Sequence, residues 1–100
     1  MNLQFDTQYA TMSRVPTPKS VELEEEYYHV RFRDPGAFTD IRTPEWATKA
    51  AEDVSKGSKV RTGKRKGSDE WVVQSILIPK RVGKSAAKSQ ATKIIEKIET

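Results

Sequence analysis

Six Lys or Arg side chains fall within the eleven residues "KGSKVRTGKRK", with no acid among them: Lys56, Lys59, Arg61, Lys64, Arg65 and Lys66. Cations this close repel one another. On a strand–turn–strand unit they can neutralise phosphates and release counterions. Arg31 and Arg33 alternate in "YYHVRFRD" with Tyr28, Val30 and Phe32, which places both with Tyr27 and His29 on one expected strand face. Lys80, Arg81 and Lys84 follow at the far end of the basic segment. Binding of nucleic acid, DNA or RNA, through these phosphate contacts is the chemistry the residue types point to. Tyr27 or His29 would stack on a base if the target is single-stranded. The plain alternative is a solvated turn in a basic protein.

Other chemistries find less support. The chain has no cysteine, which excludes disulfides and thiolate metal sites, and a single histidine, which excludes zinc sites needing two. Glu24, Glu25 and Glu26 are consecutive, and on a strand such residues point to alternating faces rather than converge on one ion. No phosphate-cradling glycine loop of recognised spacing appears, nor a nucleophile in a recognised setting. The expectation is therefore a non-enzymatic protein with no cofactor and no metal.

These residues need a scaffold. "SVELEEEYYHVRFRD" reads as strand, with Val21 and Leu23 out of phase with Tyr28, Val30 and Phe32; a bulge or two shorter strands near Glu24 to Glu26 would explain the slip. "DPG" then signals a turn. In "RTPEWATKAAEDVSKG", Thr43 suits an N-cap, Pro44 the first helical position and Gly57 the stop. Trp46, Ala50 and Val54, with Ala47 and Ala51 beside them, form its apolar stripe. A β-hairpin is expected next, with arms near Lys59 to Thr62 and Glu70 to Ile78. The second arm is apolar on both faces and hence central, and Pro79 ends it. A closing helix capped by Ser85 presents Ala87, Ala91, Ile94, Ile95 and Ile98 on one face. The predicted core is Trp46, Val72, Ile76, Ile78, Ile94, Ile95 and Ile98. The result is an α+β fold of order β-α-β-β-α, a small antiparallel sheet with its helices on one face.

One hundred residues with 35% hydrophobic content suit one compact domain over 20–100 plus a flexible N-terminal arm over 1–19, where Pro16 and Pro18 oppose regular structure. The net charge of +4 conceals a split, −4 over residues 1–54 and +8 over 55–100. A polyanion would meet the second half first. The split would equally suit attraction between the halves, within one chain or between two. A protein partner or self-association is therefore the alternative, with the chain as an interaction module. The longest apolar run is three residues, so no membrane partner is expected. The first residues lack a basic start followed by an apolar core, so a cytoplasmic location is the expectation.

The stretches "HVRFRDPGAFTDIRT", "KVRTGKRKG" and "WVVQSILIPK" carry a resemblance. Through Arg31, Arg33, Pro35, Phe38, Arg42 and Thr43, then Gly63, Lys66, Gly67, Val72, Gln74, Ser75 and Lys80, the chain resembles a loose group of small, mostly uncharacterised proteins of tailed phages, prophages and related mobile elements. The likeness spans roughly residues 28–80 and inserts a helix containing Trp46 after the Arg-Thr pair. It implies a viral or mobile-element setting, the host cytoplasm if viral, and no particular reaction.

Overall fold

The computed structural model describes residues 16–99. Most of the expected flexible arm, residues 1–15, lies outside the described residues. The elements are β1 (Ser20–Glu24), β2 (Tyr27–Arg31), a 3-10 turn (Pro35–Ala37), β3 (Phe38–Arg42), α1 (Glu45–Val54), β4 (Lys59–Arg65), β5 (Trp71–Pro79), a second 3-10 turn (Lys80–Val82) and α2 (Lys84–Glu99). The five strands form one antiparallel sheet in the order β1-β2-β5-β4-β3. The α+β class stands, with two more strands than the sequence suggested.

The first extra strand resolves the phase slip. Residues 20–31 are a hairpin, and Glu25 at its turn takes a left-handed φ of 56°. Pairing of Val21 with Val30 and Leu23 with Tyr28 brings odd and even positions onto the same face. The second extra strand, β3, occupies the far edge. Its Phe38 is buried, and a Cβ at Gly63 would lie 2.6 Å from the Phe38 ring, so this ring needs a glycine in β4 beneath it. Asp34 starts the connection to β3, its carboxylate accepting from the Gly36 amide at 2.9 Å.

β5 is central, as its two apolar faces require. On one face Val30, Phe32, Val60, Val73, Ile76 and Ile78 join Ala47 and Ala51 of α1 and Ala87, Ala91, Ile94 and Ile95 of α2 in a single buried cluster. Burying each large aliphatic side chain contributes roughly 1.5–3 kcal/mol. We call this the helix face. Strand alternation sends Tyr27, His29, Arg31, Lys59, Arg61, Ser75 and Leu77 to the other, open face. β5 has one extra residue, Gln74, between the partners of Arg61 and Thr62.

Both helices depart from the expected punctuation. Pro44, not Thr43, is the N-cap of α1: its backbone is extended and its carbonyl accepts the Thr48 amide at 3.1 Å. α1 is also rotated from the expected stripe. Ala47 and Ala51 face inward, and Trp46, expected in the core, is 60% exposed. Small alanines let α1 lie close to the sheet and α2, and no space remains there for an indole. Ser85 lies inside α2, which begins at Lys84 after Gly83. Of the remaining predicted core residues, Ile76, Ile78, Ile94 and Ile95 are fully buried, while Val72 and Ile98 are half-buried.

Candidate nucleic-acid interface

The ten basic residues singled out from the sequence separate into three kinds of environment. Arg33 is structural. Its guanidinium makes a two-pronged pair with Glu99 of α2, both bonds 3.1 Å, and donates to the Val73 carbonyl at 2.5 Å. It does not share a face with Arg31, as strand alternation suggested. The amides of Phe32 and Arg33 both donate to the Gln74 carbonyl, at 3.0 and 3.3 Å. That sharing bends the chain after β2 and turns Arg33 toward α2.

A second group carries its own acids. Lys64 lies 3.5 Å from Asp69 and Arg65 3.9 Å from Glu70, across the turn joining β4 and β5. Lys80 pairs with Glu26 at 3.4 Å. Arg31 binds Glu22 and, at 3.0 Å, Glu24. The Arg31 hydrogen bond holds the Glu24 carboxyl below its ordinary pKa, and the carboxylates in turn raise that of Arg31. Exposed pairs of this kind are worth about 0–1 kcal/mol, and a ligand can exchange them.

The third group forms no ion pair with a carboxylate among the described residues: Lys56, Lys59, Arg61, Lys66 and Arg81, although the charge of Arg61 helps to hold down the Glu24 carboxyl. Four of them stand together at the end of the hairpin remote from its turn. Arg81 donates to the Lys56 carbonyl at 2.8 Å. Gly57, left-handed with φ 87°, Pro79 and Arg81 line a shallow depression with Tyr27 and the Glu26–Lys80 ion pair. Lys59 lies over the Tyr27 ring, 5.4 Å from its centroid, a cation–π contact worth about 0.5–1 kcal/mol at the surface. Arg61 follows two residues on, on the same face. Arg81, Lys56, Lys59 and Arg61 thus form a basic stripe past an aromatic ring.

Within the open face, His29 is buried by its neighbours, 8% exposed, opposite Leu77. Burial pushes its imidazole below the ordinary pKa; Arg61 and Arg31 push the same way, and Glu24, 3.8 Å distant, pulls upward. It is a neutral member of the face.

Sequence reasoning missed one feature. Trp46 and Trp71 both line a cleft of about 470 Å³ on the helix face, floored by Thr62 and Val73. Trp71 is 39% exposed and pairs across the hairpin with Lys64; the Arg42 guanidinium lies 5.0 Å over its ring. The periodicity of "PEWATKAAEDV" supports a stripe through either Trp46 or Ala47, so only the packing of α1 reveals the exposed indole.

Among the described residues no group of acidic or histidine side chains could hold a metal ion, and no helix is long and apolar enough to cross a membrane. No protein family, curated protein or solved structure matches this chain.

Proposed function

We propose that this chain is a small non-enzymatic nucleic-acid-binding protein of viral or mobile-element origin, working in the cytoplasm and gripping phosphates through its basic hairpin. The observation that carries the reading is the stripe of Arg81, Lys56, Lys59 and Arg61. Cations held together without acid partners are a fixed positive potential that a polyanion relieves. Tyr27, under Lys59, offers a ring beside the charges. The turn residues Lys64 and Arg65 add phosphate contacts after their exposed ion pairs exchange, and Lys66 adds one directly.

A titration against duplex DNA, single-stranded DNA and RNA at two salt concentrations tests this. Four phosphate contacts on a single strand give a slope of log K against log salt of about −3. The double variant K59A/R61A shrinks that slope by about 1.4 units on a single strand, with equal loss on every sequence. Absence of binding at low salt overturns the proposal.

The second reading, an interaction module, rests on a different observation. Leu23 and Ile41 are exposed, one on each edge strand, where an added strand from a protein partner or a second copy would pair.

A further inference from the structure

Two large indoles exposed in one cleft of a small folded domain leave apolar area in water that folding alone does not explain. The surroundings select the occupant. Arg42, itself paired with Asp40 at 3.0 Å, covers part of the Trp71 ring, and Lys64, paired with Asp69, faces Trp71 across the hairpin. The cleft's own acids, Glu99 and Glu70, are already engaged by Arg33 and Arg65. With these charges paired, the cleft offers indole surface rather than free charge, and a nucleobase whose phosphate is held elsewhere, on the basic stripe, fits this arrangement.

Topology narrows the class further. The basic stripe lies on the open face and the tryptophan cleft on the helix face, yet they are adjacent along the chain. Arg61 points to the open face, and the next residue, Thr62, floors the cleft. β3 pairs with β4 only over Thr62–Arg65, so on that side β4 has no strand beside it at Lys59 and Arg61, where β5 alone flanks it. There a groove lined by Thr43, Glu45, Thr48, Lys59, Arg61 and Leu77 leads from the stripe to the start of α1, where Trp46 follows Glu45. Glu45 is the acid on this path, and Lys49 lies 3.9 Å from it. A chain using both sites must turn round the edge of the sheet. Duplex DNA, with a persistence length of about 50 nm, cannot make that turn, whereas a single strand can.

Resting on the proposed nucleic-acid reading, we infer that the Trp46–Trp71 cleft holds an unpaired base of a single-stranded nucleic acid whose phosphates follow the Arg61–Lys59 stripe. These are the only two tryptophans in the chain, so intrinsic indole fluorescence reports on this cleft alone. Three titrants separate the contributions: oligothymidylate, a duplex of equal length, and inorganic polyphosphate, which is a polyanion without bases. Oligothymidylate should quench the emission and bind more tightly than the duplex; polyphosphate should bind in a salt-dependent manner without quenching. W46A, at an exposed helix position, should lose about 5- to 160-fold in affinity for oligothymidylate, as expected for one stacked base, and nothing for polyphosphate. If oligothymidylate binds with no quenching and W46A binds like the parent, the cleft is not a base site, and the phosphate reading survives. A duplex that binds more tightly than the single strand also overturns the inference. If neither oligothymidylate nor polyphosphate binds at low salt, both readings fall, and a protein ligand for the tryptophans takes their place.

Discussion

At the turn of the β4–β5 hairpin, Lys64 and Arg65 face Asp69 and Glu70 a few residues later in the chain. At the opposite end, Lys56, Lys59 and Arg61 have no carboxylate partner among the described residues, and Arg81 joins them. The two ends contribute equally to one run of basic sequence, yet the turn end leaves only Lys66 without an ion pair while the remote end leaves all three of its cations so. Density of lysine along a chain therefore does not locate a polyanion site. What locates it is whether local acids are within reach once the strands pair. The turn end is close to self-neutral, and the repulsion implied by its sequence is offset by those pairs. The remote end relieves its crowding through the Tyr27 ring, solvent and the more distant Glu24 carboxylate, whose pKa Arg61 helps to lower.

The comparison depends on β5 holding the two ends apart, and the harshest way to break it is to loosen that strand. Ile76 is fully buried between Val30 and Val60 in the centre of the sheet. Ile76→Ala should cost roughly 2–5 kcal/mol in chemical denaturation. A loss below about 0.5 kcal/mol, the range of an inconsequential surface change, would show that β5 is not the central strand.

A smaller effect separates two arginines that the sequence treats alike. Arg33 and Glu99 retain only 18% and 14% of side-chain exposure, and Glu99 also accepts the Val73 amide at 2.7 Å. Arg33→Ala strips a charged, half-buried acceptor of its partner and should cost about 1.5–3 kcal/mol. Arg31 is paired with glutamates that are about half exposed, and Arg31→Ala should cost about 0–1 kcal/mol. Equal losses in thermal unfolding would mean that Arg33 is as replaceable as Arg31 and belongs with the surface group after all.

Local signals made much of this fold legible. The apolar run of β5, the alternation of Tyr28, Val30 and Phe32 and the Ala–Ile stripe of α2 each have a period that one element satisfies, and each lies where the pattern puts it. β3 was not legible, because an edge strand of five residues buries only Phe38 fully and shows no strong alternation. Gly63 was the available clue: a glycine within a strand marks a close approach, here by the Phe38 ring. The orientation of α1 escaped for a different reason. Trp46 is more hydrophobic than Ala47, but volume decides what fits against α2. The role of Arg33 was beyond any local reading, since its partner Glu99 lies 66 residues away. At the candidate site the residue types were legible and their partners were not.

The finest test of the two-ended hairpin is electrostatic and uses His29 as a sensor on the open face. Burial is the main force lowering its pKa from 6.5, and Arg61, at the unpaired end, is among the charges that lower it further. Because the folded imidazole holds its proton less firmly than the unfolded one, the folded state binds fewer protons on acidification. Stability is therefore intact above about 6.5 and declines as the pH falls from there toward the folded-state value. Arg61→Ala removes a repelling cation and should move the His29 titration midpoint upward, as followed by NMR of the imidazole, and make that decline shallower. The triple change of Lys64, Arg65 and Lys66 to Ala should leave the midpoint where it is, since those cations sit beyond the bulge and two of them have their own acids. Should the triple variant shift His29 as far as Arg61→Ala does, the two ends share a single field, and the division of the hairpin into a compensated turn and an uncompensated stripe fails.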